Sequence, residues 1–366
     1  MRKGALALDE SARRVAHPSQ PAGRIQCFPT QVAAPLIQVT DIAHFPAKLR
    51  SQGTAVTIGN FDGCHLGHRR LVDATLDLAA KVRGTAVAMS FLPRPEAFFR
   101  GQLDEPLLFT SEQKTRALGE LGLGWQVVEA FDEPFSRIAH EVFYDQHLRG
   151  ALGAKALVIG DNFRFGHSRR GDSAYLASRA KADGVELKIG DDVSYVDRRI
   201  SSTRVRETLC REGAVDAVAA MLGRPYLVEG VIRRGDQLGR QLGTPTANLE
   251  EIHQLLPRYG IYAGYVWLAA NPTDQSRPPV MQRSPQALPA VFSIGVRPTL
   301  KANHAPLRVE AYVLDRAFGD DELYDRRAGF YFSHRLRDEA ELKNLDELKA
   351  WIARDILNAR RLLGLL

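Results

Sequence analysis

Cysteine is scarce in this 366-residue chain: Cys27, Cys64 and Cys210 stand far apart and are odd in number. They make neither a disulfide framework nor a Cys-x-x-Cys metal spacing, so a reducing, cytoplasmic location is the natural expectation. Long apolar runs are missing too, and nothing reads as a membrane span. The N-terminus is basic but lacks the sustained apolar stretch and small-residue cleavage site of a secretory leader, and Asp9 and Glu10 argue against a transit peptide. No Gly-x-x-x-x-Gly-Lys-Ser/Thr loop and no protein-kinase signature occurs, so those two routes to ATP chemistry are unsupported. Zinc-finger spacings and aromatic-rich basic strips are also lacking. The formal charge of +6, part of it in Arg2, Lys3, Arg13, Arg14 and Arg24, reads as a solvated basic surface. Such a surface attracts phosphate-bearing substrates without implying nucleic acid.

What is present is an ordinary soluble composition, 45% hydrophobic and 25% charged, over a length that suits two domains better than one core. Residues 1–35 read as a disordered tail. From residue 38 to about 222, short apolar runs alternate with amphipathic ones. Strands are expected at 55–58, 85–91, 126–131, 156–159 and 185–189. Helices are expected over 65–81, after Ser111 through Lys114, Ala117, Leu118 and Leu121, through Ile138, Val142, Phe143 and Leu148, and through Tyr175, Leu176 and Ala180. Such alternation implies a mostly parallel sheet covered on both faces, with ligands beyond the carboxyl ends of its strands. Near Gly223-Arg224-Pro225 the pattern changes to short strands (226–232, 261–268, 290–294, 308–314, 329–333), which argues for an antiparallel barrel or sandwich. Residues 271–289, rich in Pro, Gln and Ser, read as a surface insertion. An amphipathic helix carrying Leu342, Leu345, Leu348, Ile352 and Ile356 on one face closes the chain. No internal repeat is visible.

The first half is organised around Gly59-Asn60-Phe61-Asp62-Gly63-Cys64-His65-Leu66-Gly67-His68. A strand, a glycine turn and a helix start place unpaired N–H groups where an anion can sit, and His65 and His68 add imidazole donors. A plain turn decorated by histidines is the alternative. In Gly160-Asp161-Asn162-Phe163-Arg164-Phe165-Gly166, Asn162 suits a base or ribose and Phe163 or Phe165 an apolar wall, unless both aromatics are tucked into the core. Ser201, Ser202 and Thr203 are either caps or a second phosphate-binding helix start, with Arg206 one turn further on. Together these suggest nucleotidyl transfer. A phosphate nucleophile is already anionic, so the site needs positioning and charge neutralisation, here by His65, His68 and Arg206, more than a base. In the second half, Gly235, Gly239 and Gly243 recur in a loop ahead of Thr246 and Asn248. If extended, those two oxygen ligands face the same way and suit Mg²⁺ on nucleotide phosphates; a hairpin with an Asx turn is the alternative. Glu310, on a strand opposite in facing to Val309, Ala311 and Val313, is either an exposed strand residue or a base for an alcohol nucleophile.

In this order the motifs resemble the bacterial bifunctional riboflavin kinase/FMN adenylyltransferase (FAD synthetase) family from about Ile37 onward. Residues 59–68 look like its nucleotidyltransferase His-x-Gly-His segment, 160–171 like its Asn-Phe-Arg-Phe-Gly loop, and 200–206 like its Ser-Ser-Thr-x-x-Arg. Leu222-Gly223-Arg224-Pro225-Tyr226 matches the join between modules, and Pro245-Thr246-Ala247-Asn248 is similar to the kinase Mg²⁺–ATP signature. The resemblance implies a Rossmann-like nucleotidyltransferase domain (36–222) followed by a six-stranded antiparallel β-barrel riboflavin kinase domain (223–366) with a C-terminal helix. It implies Gly59, Phe61, Asp62, Gly63, His65, His68, Asn162, Ser201, Ser202, Thr203, Arg206, Gly235, Gly239, Gly243 and Thr246 as nucleotide-binding. It implies Phe163 and Arg337 as flavin-binding, Thr246 and Asn248 as Mg²⁺ ligands, and Glu310 as the kinase base. The expected partners are small molecules (riboflavin, FMN and ATP, with FAD as product), with no nucleic acid and no membrane; the motifs specify no oligomeric state. Departures from the family pattern occur at Leu92 and Arg94, in place of Asp and His, and at Thr244, Ser293 and Leu323-Tyr324-Asp325. They leave open a kinase with a weakened adenylyltransferase, or a non-catalytic flavin-binding regulator.

Overall fold

The computed structural model describes residues 36–103, 106–234, 246–296, 307–316, 318–319, 322–340 and 344–366. The expected N-terminal tail therefore lies outside the described residues. Six parallel strands build the first module: β1 (Ile37–Val39), β2 (Thr54–Ile58), β3 (Thr85–Leu92), β4 (Trp125–Ala130), β5 (Ala154–Gly160) and β6 (Glu186–Gly190). Their order is β1-β4-β3-β2-β5-β6, all parallel, so strand order reverses between β2 and β5. All five residues of β2 are buried, because helices cover both faces. Val56 and Ile58 pack with Phe143, Tyr144, Leu148 and Leu176, while Ala55 meets Ala79 on the helix Leu66–Lys81. The expected helix through Ile138 begins later: helical segments run His140–Val142 and Phe143–Ala151, the second π-wound. Beyond β6, a two-stranded hairpin, β7 (Ser194–Tyr195) and β8 (Arg198–Arg199), precedes helices at Ser202–Glu207 and Val215–Leu222.

The second module is a closed antiparallel barrel of β9 (Tyr226–Arg233), β10 (Ala247–Glu250), β11 (Gly260–Leu268), β12 (Leu288–Val296), β13 (Leu307–Val313) and β14 (Arg327–Arg337). It closes where β9 pairs with both β10 and β14. Val228, Ala247, Leu249, Phe292, Val309, Ala311 and Phe330 fill the interior, with Phe292 stacked on Phe330 at 4.9 Å. A barrel of this size is filled by its own side chains, so chemistry has to sit on its outer wall or mouth. The helix Leu345–Leu362 lies outside, packing Ala359 and Ile356 with Ala263 and Leu314. Leu342, expected on that helix, is not among the described residues.

Residues 271–289 are a surface insertion only in part: residues 271–276 are mostly exposed, as their composition suggests, but the stretch beyond them turns inward. Val280 is fully buried, and the segment is pinned by the helix Ser111–Glu120 of the first module. Arg116 donates to the Pro278 carbonyl at 2.6 Å, and the Glu120 carboxylate accepts from the backbone of Val280 and Met281. One core runs through both modules here, joining Phe61, Val72 and Leu118 to Leu227, Trp267, Val280 and Tyr331.

Candidate active sites

The two glycine loops singled out in the first half follow β2 and β5, at the point where strand order reverses. Open α/β sheets bind ligands in the crevice such a reversal leaves. Between β2 and its helix, Phe61, Gly63 and Cys64 all take left-handed backbone angles (φ 49°, 77° and 37°). Holding a bulky residue there costs about 1–3 kcal/mol, so the surroundings must over-determine the turn. They do. The Asp62 carboxylate, 3% exposed, accepts from Phe109 N–H at 3.1 Å and pairs with Arg206, while Ser202 Oγ donates to the Asp62 carbonyl at 2.9 Å. Asp62 and Ser202 thus tie the turn to the helix start at Ser201.

His65 caps the helix Leu66–Lys81: its Nδ1 accepts from His68 N–H at 3.3 Å, leaving the proton on Nε2. The two rings stack at 3.7 Å, and His68 leans on Phe61. Burial, with the Arg224 charge behind it, pulls the His65 imidazole down to about 4. Burial first, then the His65 and Lys114 charges, pull His68 well below its ordinary value. The pair is therefore neutral at pH 7. Of the two contributions expected of the pair, imidazole hydrogen bonds and charge neutralisation, its neutrality leaves the first.

Arg206 was expected to face an anion. Its Nη2 pairs with Asp62 and its Nη1 donates to the Pro106 carbonyl at 2.9 Å, so its position also braces the turn. Ser201 is the cap of the helix Ser202–Glu207, its hydroxyl accepting from Arg204 N–H at 3.2 Å, and Thr203 is exposed beside it. Asn162 is exposed at the end of β5, where Asp161 pairs with Arg199; Phe163 stacks on the buried Phe165 at 5.4 Å. Gly59 donates to the Met89 carbonyl at 3.0 Å, and a Cβ there would press on the Phe61 ring. Two basic residues near this crevice were not among the expected site residues. Lys114, 8% exposed, sits close enough to Cys64, Asp62 and His68 to exchange charge effects with them. The only sequence signal was a lysine within an otherwise apolar helical stripe. Arg224, 3% exposed, was legible only as part of a join.

The second site lies on the outer wall of the barrel. Asn248 pairs directly with Glu310 across β10 and β13, and Ser293 pairs with Glu310 across β12, so the three side chains share one face. Val309 and Ala311 take the other, buried face, as alternation predicted. Thr246 Oγ1 donates to Glu310 Oε2 at 3.5 Å, and Arg308 lies 3.7 Å from Glu310 Oε1. Thr246 and Asn248 are thus brought to Glu310. β10 was missed as a strand because it is four residues long and its asparagine fits a turn equally well. Gly235, Gly239 and Gly243 lie outside the described residues. Arg337, expected beside a flavin, has its guanidinium on Asp355 (Nη2–Oδ2 2.7 Å) and over the Trp351 ring, tying β14 to the C-terminal helix.

Comparison with known proteins covers both modules. A family model for FAD synthetase matches residues 47–204, and one for riboflavin kinase matches residues 222–363. A bifunctional riboflavin kinase/FMN adenylyltransferase of Escherichia coli (strain K12) is 33% identical over 322 residues, 88% of this chain and 96% of that protein. The Pseudomonas fluorescens protein of the same description is 33% identical over 311 residues, 85% of this chain and 93% of its own. The crystal structure of a macrolide-efflux protein from Streptococcus pneumoniae shares the fold, with a TM-score of 0.76 at 24% identity over 89% of this chain and 99% of that one.

Proposed function

The chain belongs to the bifunctional riboflavin kinase/FMN adenylyltransferase family, and from that premise we propose how its residues divide two reactions. The protein phosphorylates riboflavin with ATP to give FMN and ADP, then adenylylates FMN with ATP to give FAD and pyrophosphate. Its bifunctional relatives favour this over a kinase alone or a non-catalytic flavin binder. In our assignment residues 36–222 carry adenylyl transfer and residues 223–366 carry the kinase.

In adenylyl transfer an oxygen of the FMN phosphate attacks the α-phosphorus of ATP, and the bond to the departing pyrophosphate breaks. The attacking oxygen is already anionic, so positioning and donors to the developing charge suffice. His65 and His68 present neutral N–H groups to those oxygens. Arg206 fixes the turn through Asp62, and Asn162 and Phe163 line the β5 side of the crevice. In the kinase reaction the riboflavin hydroxyl loses its proton to Glu310 as its oxygen attacks the γ-phosphorus and ADP leaves. Thr246 and Asn248 offer hard, neutral oxygens beside Glu310, a donor set that fits Mg²⁺. When bound there, Mg²⁺ would supply positive charge to offset that of the nucleotide phosphates. A cytoplasmic location belongs to the same reading: Cys64 and Cys210 are free thiols, and among the described residues no helix is long and apolar enough to cross a membrane.

The observation that carries this division is the placement of the histidine pair and of Glu310 on different modules. Supplying riboflavin, ATP and Mg²⁺ and resolving the flavins over time tests it. His68→Ala is expected to stop FAD formation while FMN accumulates, and Glu310→Ala to suppress FMN formation while added FMN still becomes FAD. If either substitution abolished both conversions in a folded protein, the division would be wrong.

A further inference from the structure

Arg224 lies between the modules with its guanidinium wholly inside the protein, and its four hydrogen bonds all go to main-chain carbonyls. Nη2 donates to Gly63 at 2.7 Å, Nη1 to Cys64 at 3.2 Å and to Leu222 at 3.0 Å, and Nε to Val280 at 2.8 Å. Its planar face covers Phe109 at 5.0 Å. Gly63 and Cys64 are the two residues immediately before His65, and both hold left-handed angles. Val280 belongs to the kinase module, in the segment whose backbone N–H groups Glu120 accepts. A rigid fork that fixes three separate stretches of backbone suits an arginine and no other side chain.

We infer that Arg224 is a positioning residue for adenylyl transfer, setting the Gly63–Cys64 carbonyls and hence the His65–His68 pair in place, and that the 278–281 segment of the kinase module is a working part of the adenylyltransferase site. This rests on adenylyl transfer taking place at the 59–68 turn. The physical reason is the strain in that turn. Left-handed Cys64 persists only while its surroundings hold it there, and Arg224 binds its carbonyl and that of Gly63 in succession. Arg224 keeps its charge at neutral pH although burial pulls it down to about 10.

The test uses the full chain, assaying FMN formation from riboflavin and FAD formation from supplied FMN separately. Arg224→Gln and Arg224→Lys are each expected to lower kcat for FAD formation about tenfold or more, because small misplacements of catalytic groups are costly, with KM for ATP within about threefold. Kinase turnover is expected to stay within about twofold, which a merely structural role would not spare. Arg224→Lys keeps the charge but not the fork, so near-normal FAD turnover in that variant overturns the inference. Glu120→Ala loosens the same segment without touching Arg224, and is expected to reduce FAD formation selectively by about threefold or more. FAD turnover in Glu120→Ala equal to that of the unaltered chain, or equal losses of FMN and FAD formation in the Arg224 variants, overturns it too. His68→Ala in the same assay reads the site assignment by itself. If it spares FAD formation, the assignment fails and the positioning role with it; if it abolishes FAD formation while the Arg224 and Glu120 variants spare it, only the positioning role fails.

Discussion

An imidazole that keeps its proton on Nε2 offers a phosphate one hydrogen bond and no net charge, and for His65 that state is enforced by burial and by the neighbouring Arg224. The same burial makes stability depend on pH. His65 takes a proton near 6.5 in the unfolded chain but only near 4 in the folded one. Between those values the unfolded state binds more protons, so this contribution is complete above about pH 6.5 and is lost as pH falls toward 4. The unaltered chain is expected to lose about 2 kcal/mol more than His65→Asn between pH 7 and pH 4.5. Denaturant midpoints at the two pH values measure this, and parallel losses would contradict it. His65 and His68 were legible because both stand in a short local motif. Lys114 and Arg224 were not, because their importance lies in what buries them, and those neighbours are distant in sequence.

The helix Ser111–Glu120 shows how much one ten-residue element can carry. A capping box between Thr110 and Gln113 starts it; Gln113 and Arg116 then reach Glu229 on β9, and Glu120 reaches 280–281. Gln113 uses both ends of its amide, accepting from Thr110 N–H and donating to the buried Glu229 at 2.8 Å. Gln113→Glu keeps the cap but sets two carboxylates against each other. A destabilisation of about 1–3 kcal/mol is expected by urea unfolding, and an unchanged midpoint would show that Glu229 does not depend on this donor. The helix itself was readable from its apolar spacing, as were the long strands of both modules. The role of 271–289 was not. Its composition is that of a loop, and what pins residues 278–281 are bonds that Arg116, Arg224 and Tyr331 donate to their carbonyls and that Glu120 accepts from their N–H groups, which leave no local pattern.

At the scale of the whole molecule the boundary near residue 222 marks a change of fold and not a break in the core. Leu108, Val205 and Leu209 pack in one apolar cluster with Tyr226, Val228 and the barrel interior, and a second cluster joins Phe61 and Leu118 to Leu227 and Tyr331. Calorimetry is expected to show a single cooperative transition; two resolved transitions would mean that the shared clusters couple the modules weakly.

The barrel closes by pairing its first strand with its last, so Tyr226 bonds in register with Phe332, about a hundred residues later. During synthesis β9 therefore has no β14 to pair with until residues 327–337 have left the ribosome. The first module, complete by then as a sheet, presents Phe61, Phe109 and Leu118 without their cover through that interval. Nascent chains arrested before residue 327 are accordingly expected to recruit chaperones that bind apolar surface, and chains released after residue 337 to escape them.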